Sequence, residues 1–186
     1  YEQQFGYRHL GATPDSNLPA TPATLFRIAS VSKMMTTLGL MRLVEQGKLS
    51  LDQDVSIYLG FSLRNPHFPQ QSVTLRSLLS HTSSLRDAGG YAWGPERSLR
   101  DVFTAGGDLM WDTTAAPGRY FTYSNLNWGV IGTVMEQVTG ERFDLLMRRL
   151  LLDPLDVRGG YHPAAFSTDE VANTATLYRK RTLDTE

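Results

Sequence analysis

The sequence predicts an α+β protein whose strands lie at its beginning and whose middle is mostly helical. Two patterns support this. The opening "YEQQFGYRHL" alternates aromatic and polar residues, which is the period of a strand. Further on, apolar residues recur at helical spacing, in segments that begin at cap-type residues and end at glycine or proline.

The composition limits the functional classes. The chain of 186 residues is 41% hydrophobic and 20% charged, as in a globular protein of one domain or two small lobes. Its net charge is -1, so electrostatics give no reason to expect a nucleic-acid or anionic-membrane partner. The absence of cysteine excludes disulfides and a cysteine nucleophile. No apolar stretch approaches the roughly 20 residues of a membrane span.

The first elements follow from local signals. Gly6 indicates a bulge in the opening strand, and the Pro- and Thr-rich stretch after it predicts a loop. A helix is predicted from about Ser30 to Gln46, ended by Gly47. Its predicted apolar face consists of Met34, Leu38, Leu40, Met41 and Val44.

The later helices are predicted from caps and stops. A short helix in "KLSLDQDVSIYLG" would be capped by Ser50 or Asp52, and further helices would start at Thr74 and Ser98. Gly106-Gly107 would end the last of these. The turn Pro117-Gly118 leads into an aromatic extended piece, and two more helices are predicted to end at Gly140 and Pro154. The apolar face of the first of these two is Val130, Ile131, Val134, Met135 and Val138.

Ser30 and Lys33 form the first chemical motif. A serine hydroxyl is a weak nucleophile until a base takes its proton, and a lysine three residues later lies on the same helical face. The N–H groups and the dipole of the first helical turn favour a developing anion. Ser-x-x-Lys is therefore a compact nucleophile–base unit. The residues alone leave a second interpretation open, in which Ser30 caps the helix and Lys33 is solvated.

The second motif is "YSN", at Tyr123, Ser124 and Asn125, between the Pro-Gly turn and a helix. A tyrosine hydroxyl and an amide two residues later point the same way from extended backbone. Tyr123 beside a cationic lysine is a candidate general base or proton relay, and Asn125 can hold a substrate amide or orient the lysine. The alternative is that Tyr123 is a core residue and that Ser124 or Asn125 caps the next helix.

Together the motifs indicate a family. "FRIASVSKMMTTLGLMRLVEQGKLSLDQDVSIYL", "LRSLLSHTSSL", "PGRYFTYSNLNWGVIGTVMEQVTG" and "LLDPLDV" closely resemble, in this order, the serine β-lactamase and penicillin-binding superfamily, in its class C-like branch. The resemblance runs from about Phe5 to Tyr178. It implies a β-lactamase/transpeptidase-like fold, an antiparallel sheet flanked by helices plus an all-helical lobe, of which this chain is mostly the helical part.

The resemblance also implies roles. Ser30 would attack a carbonyl and form an acyl-enzyme, with Lys33 as base or base partner and the Ser30 N–H as half of the oxyanion hole. Tyr123 would pass the proton to the leaving group, and Asn125 would contact the substrate or Lys33. These four residues are the predicted site, with Ser30, Lys33 and Tyr123 catalytic and Asn125 substrate-binding.

Two departures qualify the resemblance. Ser84 stands where the family usually has glycine in His-Thr-Ser-Gly-Leu, a segment predicted to be architectural, so His81 is not counted as catalytic. The third family motif, of Lys-Thr-Gly or His-x-Gly type, does not occur in the sequence, which suggests a piece of a longer protein. The predicted division is a partial α/β lobe with the nucleophile helix at 1–50, a mainly helical lobe at 51–165 and the start of a return to the α/β lobe at 166–186.

The predicted function is that of a serine hydrolase acting on a β-lactam, a D-amino-acid peptide or a small carboxylic ester. The alternative is a penicillin-binding sensor, or an idle scaffold, that does not turn over. No cofactor or metal is expected, since the histidines show no metal-ligand spacing. The partner is a small-molecule or peptide substrate. The compartment and the oligomeric state stay open: the resemblance favours the bacterial periplasm or cell envelope, but no signal peptide is recognisable.

Overall fold

The computed structural model describes residues 2–178. A small antiparallel sheet pairs strand β1 (Tyr7–His9) with β2 (Leu18–Pro19), joined by a 3₁₀ turn at Pro14–Ser16. Gly6, directly before β1, has a φ of +76°, which a residue without a Cβ adopts readily. The opening strand is thus shorter than the alternating pattern, and the change of direction comes at the predicted glycine.

The α-helices follow in chain order, and most of them are short. They are α1 (Ser32–Glu45), α2 (Ser56–Leu59), α3 (Leu75–Leu79), α4 (Leu99–Gly106), α5 (Leu126–Thr139), α6 (Phe143–Met147) and α7 (Thr168–Ala172). Tight 3₁₀ turns occupy Ala29–Val31, Gly107–Met110, Asp153–Leu155 and Pro163–Ala165, and a π-helical turn occupies Arg148–Leu152.

Several predicted caps are confirmed. Thr74 accepts a hydrogen bond from Ser77 N in a capping box at α3, and Ser98 accepts one from Asp101 N at α4. Gly140 ends α5 with a φ of +67°, and Gly47 follows α1 with +69°. These caps could be predicted from the sequence because a capping residue bonds only to residues within its own turn.

The predicted cap of α2 is wrong. The helix begins later than Ser50 and Asp52, and Asp54 Oδ1 accepts the hydrogen bond from Ser56 N at 2.9 Å. Asp52 instead pairs with Arg76, whose side chain is 24 residues away. Asp52, which local spacing favoured as the cap, is therefore engaged in a long-range ion pair and does not cap α2.

The core is built around α5. Val130, Ile131, Val134 and Met135 are fully buried, as their spacing predicted, and α5 packs against α2, α3, α4 and α6. Helix α1 joins this core through Leu40 and Leu43, at the closely packed Gly39, where an added Cβ would lie 2.5 Å from Met147 Sδ. Close packing at Gly39 fixes the side of α1 that faces the core.

The predicted apolar face of α1 is partly wrong. Leu40 is buried and Val44 packs against the core, but Met34, Leu38 and Met41 are exposed by 59%, 45% and 39%. Since α1 is apolar on more than one side, the periodicity did not single out the buried face. The contacts with Met147 and Met135 decide it.

The last predicted helix also differs. Its α-helical part ends at Met147, and the π-turn and a 3₁₀ turn that contains Pro154 carry the chain to Leu155. Proline removes a backbone donor, so the chain leaves α-helical geometry around it instead of stopping at one residue.

The two ends of the described chain meet beside β1. Leu25 pairs in parallel with Thr174, and Arg8 Nε donates to Asn173 Oδ1 at 2.6 Å. The division into segments 1–50, 51–165 and 166–186 stays a prediction, and residues 179–186 of the last segment lie outside the described residues. Over residues 2–178, no helix is both long and apolar enough to cross a bilayer.

Candidate active site

Ser30 lies in the 3₁₀ turn that leads into α1, not in the α-helix itself. The preceding Ala29 has a φ of +44°, a left-handed conformation that is unfavourable for a residue with a Cβ. Such strain is found where the surrounding structure requires it, often at functional sites. The turn leaves Ser30 exposed at the surface, with Lys33 half-buried one turn further on.

The four predicted residues come together. Ser30 Oγ lies 2.7 Å from the Tyr123 hydroxyl, and Lys33 Nζ donates to Ser30 Oγ at 3.2 Å. Lys33 Nζ also donates to Asn125 Oδ1 at 2.9 Å. The serine hydroxyl thus has two groups within hydrogen-bond distance that can exchange a proton with it.

Tyr123 is held by the segment around His81. Thr122 N donates to the His81 carbonyl at 2.8 Å, and the imidazole stacks on the Tyr123 ring with centroids 4.5 Å apart. The contact with Lys33, and then the hydrogen bond with Ser30, lower the pKa of Tyr123 below its ordinary value of 10.0. A phenol with a lowered pKa is a better proton acceptor near neutral pH because more of it is ionised.

The Lys33 amine lies between two aromatic rings. Its Nζ is 5.0 Å from the centroid of Tyr123 and 6.0 Å from that of Trp128. Both distances fall within the range of cation–π attraction, which favours a fixed position for the amine. Trp128 therefore forms part of the wall of the site.

Asp87 is a residue that the sequence interpretation missed. Its carboxylate accepts hydrogen bonds from Ser124 Oγ (2.8 Å), Asn125 N (2.8 Å), Asn125 Nδ2 (2.9 Å) and Leu126 N (3.1 Å). It lies 38 residues before Asn125. An aspartate in the loop "SSLRDAGG" carries no local signal of this, because its partners start another helix.

Across residues 2–178, no group of three or more His, Cys, Asp or Glu side chains could hold a metal ion. The site consists of a hydroxyl, an amine, a phenol and an amide, groups whose chemistry suits a nucleophile, proton carriers and a hydrogen-bond partner for a substrate.

Solved structures share this fold. The hydrolase EstCE1, described as having promiscuous acyltransferase activity, matches with a TM-score of 0.73 and 32% identity over 95% of this chain and 47% of that one. The octameric penicillin-binding protein homologue from Pyrococcus abyssi matches with a TM-score of 0.70 and 30% identity, over 92% of this chain and 39% of that one. The fold is therefore β-lactamase/transpeptidase-like.

The sequence comparison gives the family. The Beta-lactamase family model matches residues 1–184, so the chain belongs to the β-lactamase family, within the serine β-lactamase and penicillin-binding superfamily. The D-alanyl-D-alanine-carboxypeptidase/endopeptidase AmpH of Escherichia coli K12 is 29% identical over 161 residues, 82% of this chain and 40% of AmpH. The chain spans between 30% and 40% of the length of such curated relatives.

Proposed function

We propose that this chain carries the nucleophile of a serine hydrolase that forms an acyl-enzyme on Ser30. The observation that carries the proposal is the position of Ser30 Oγ, 2.7 Å from the Tyr123 hydroxyl and 3.2 Å from Lys33 Nζ. A serine placed only as a helix cap would need neither contact. Family membership supports the same chemistry.

The proposed reaction has two steps. Tyr123 starts as a phenolate whose negative charge is stabilised by Lys33. Ser30 Oγ attacks the substrate carbonyl while its proton passes to this oxygen, which becomes a neutral phenol. The tetrahedral intermediate collapses, the bond to the leaving group breaks, and Tyr123 returns the proton to the leaving nitrogen or oxygen. Water then attacks the acyl-enzyme carbonyl and gives a proton to the Tyr123 oxygen. The bond to Ser30 Oγ breaks, the acid leaves, and the proton returns to Ser30 Oγ. The Ser30 N–H would supply one donor to the oxyanion.

The substrate is proposed as a class only. A β-lactam, a D-amino-acid peptide and a small carboxylic ester all present a carbonyl to the same nucleophile. The similarity to AmpH supports the peptide alternative, and the similarity to the hydrolase EstCE1, with its promiscuous acyltransferase activity, supports acyl chemistry without selecting a substrate. A penicillin-binding sensor would use the same residues for acylation and differ by keeping the acyl group.

The first test is the intact mass of the protein after exposure to a fluorophosphonate. We expect one phosphonyl adduct on the wild type, none on Ser30→Ala, and an unchanged adduct on Ser32→Ala, a serine two residues away as the matched control. A folded wild type that gains no adduct, or a Ser30→Ala variant that gains it equally, would contradict the proposal.

Substrate turnover is the second test. Unlabelled wild-type protein from a preparation that reacts with the fluorophosphonate is incubated separately with a chromogenic cephalosporin, a D-alanyl-D-alanine peptide and a short-chain nitrophenyl ester. Product release and the mass of the acyl-enzyme are followed in each case. Steady product release supports a hydrolase. A burst equal to one product per Ser30 with a lasting adduct would instead support the sensor.

A further inference from the structure

The Asp87 carboxylate lies directly at the start of α5 and contacts Asn125 and its two neighbours in the chain. Its Oδ1 accepts from Ser124 Oγ at 2.8 Å and from Leu126 N at 3.1 Å. Its Oδ2 accepts from Asn125 N at 2.8 Å and from Asn125 Nδ2 at 2.9 Å. One side chain thus accepts four hydrogen bonds from three consecutive residues. These bonds determine the position of the Asn125 amide.

These contacts determine which way the Asn125 amide points. An ionised carboxylate only accepts hydrogen bonds, so Asn125 must turn its Nδ2 toward Asp87. Its Oδ1 is then left facing Lys33 Nζ, from which it accepts a bond at 2.9 Å. An amide rotated by half a turn would place oxygen against the Asp87 carboxylate and an NH₂ group against the lysine amine. Both of those contacts would be unfavourable.

Asp87 is ionised in the folded protein. Burial raises its pKa, but the N–H groups of Asn125 and Leu126, with the Ser124 and Asn125 side chains, outweigh burial and leave the pKa below its ordinary value of 3.8. The carboxylate also lies at the N-terminal end of α5, where unpaired N–H groups and the helix dipole favour a negative charge. It therefore remains an acceptor at neutral pH.

We propose that Asp87 is a positioning residue of the active site, which fixes the Asn125 amide and, through it, the Lys33 amine beside Ser30. This inference rests on the proposed function of Ser30. Asp87 itself does not touch the reacting atoms: Asn125 lies between it and Lys33, and Lys33 lies between Asn125 and the Ser30 hydroxyl. Its effect on reactivity must therefore pass through the Asn125 side chain.

The test is the rate of fluorophosphonate labelling in a double-mutant cycle of Asp87→Asn and Asn125→Ala. In Asp87→Asn one oxygen becomes an NH₂ group that faces donors, so the Asn125 amide loses its fixed orientation. We expect the labelling rate to fall on the order of 10-fold or more, because small displacements of catalytic groups have effects of this size. In the Asn125→Ala background, Asp87→Asn should change the rate little.

A structural control separates this role from helix capping. Ser98→Ala removes the cap of α4 and should lower the thermal stability without changing the labelling rate. If Asp87→Asn slowed labelling by the same factor with and without the Asn125 amide, Asp87 would act through the fold and the inference would be overturned. A folded Asp87→Asn variant labelled at the wild-type rate would also overturn it.

The two failures remain distinguishable. An unlabelled wild type refutes the proposed nucleophile, whereas a labelled wild type with an unaffected Asp87→Asn variant refutes only the positioning role. If Asp87→Asn does not fold, Asp87→Glu takes its place in the cycle. Its extra methylene displaces the carboxylate while keeping the charge, and the same loss of rate, again dependent on Asn125, is expected.

Discussion

At the scale of single residues, His81 links the loop after α3 to the tyrosine segment of the site. Its φ is +57°, its carbonyl accepts from Thr122 N, and its Nδ1 accepts from Ser124 N at 3.1 Å. The ring also stacks on Tyr123. These contacts fit the architectural role predicted for this segment, and they require a neutral imidazole because Nδ1 must accept.

Stability should therefore depend on the ionisation of His81. Burial, followed by the nearby Lys33 charge, lowers its pKa below the ordinary value of 6.5, although Asp87 acts in the opposite direction. The unfolded chain then binds a proton more readily than the folded one between these two pKa values. The stability is complete above about pH 6.5 and falls as the pH drops from there toward the folded-state pKa.

The variant that tests this is His81→Asn, since asparagine tolerates a positive φ and keeps an acceptor for Ser124 N. We expect its Tm to fall less than that of the wild type between about pH 7.5 and about pH 5.5, by a difference of a few degrees. The control is His162→Asn, which removes an exposed imidazole but keeps a side-chain acceptor for Ala164 N, and its pH dependence should match that of the wild type. Equal pH dependence in His81→Asn and wild type would contradict the assignment.

Ser84 explains one departure from the family pattern. Its φ is +65°, a conformation that glycine adopts at less cost than serine. Ser84 is buried, and its Oγ accepts from Asn65 Nδ2 at 3.1 Å. The position requires left-handed backbone, and in this chain a hydrogen-bonded serine occupies it.

At the scale of elements, helix α1 holds Ser30, the proposed nucleophile, in place by packing only one of its apolar faces. Leu40 and Leu43 are completely buried, whereas Leu38 is 45% exposed. The contacts of Gly39 and Leu40 with the core thus set the rotation of α1 about its axis. This rotation determines the direction in which the Lys33 side chain projects, one to two turns away.

A matched pair of leucines tests this orientation. Leu40→Ala should lower the free energy of unfolding by about 2–5 kcal/mol, because it leaves a cavity in the core. Leu38→Ala removes the same atoms two residues away and should cost less than about 1 kcal/mol, since Leu38 lies outside the core and is 45% exposed. Urea unfolding measures both. Equal losses would show that α1 packs in another rotation.

At the scale of the whole molecule, the beginning and end of the described chain are joined through Asn173. Its Oδ1 accepts from Arg8 Nε and from Thr24 Oγ1, and its carbonyl accepts from Leu25 N at 3.2 Å. These bonds lie outside the hydrophobic core around α5. The region that holds β1 and β2 can therefore loosen while the helical core stays folded.

Asn173→Ala should loosen this region selectively. Removing the side chain leaves Arg8 and Thr24 without their shared acceptor, so trypsin should cleave after Arg8 severalfold faster than in the wild type. The mass of the fragments identifies the cut, and Asp169→Asn on α7 is the control. Equally faster cleavage after Arg42 in α1 and after Arg149 in the π-helical turn would mean that Asn173 stabilises the whole chain instead.

Features that depend on neighbouring residues could be predicted from the sequence alone. The Ser30–Lys33 spacing, the Thr74 and Ser98 caps, the stops at Gly47 and Gly140 and the buried face of α5 each involve residues within a turn or two. The order of these local motifs also indicated the family, which the family comparison confirmed.

Contacts between groups far apart in the chain could not be predicted from local patterns and became visible in the folded structure. Tyr123 contacts Ser30 across 93 residues of sequence, and Asp87 contacts Asn125 across 38. Asp52, which was predicted to cap α2, pairs with Arg76 instead. The face of α1 that is buried was decided in the same way. A local pattern states which residues can form a helix or a cap, but the contacts between elements depend on how all of them pack at once.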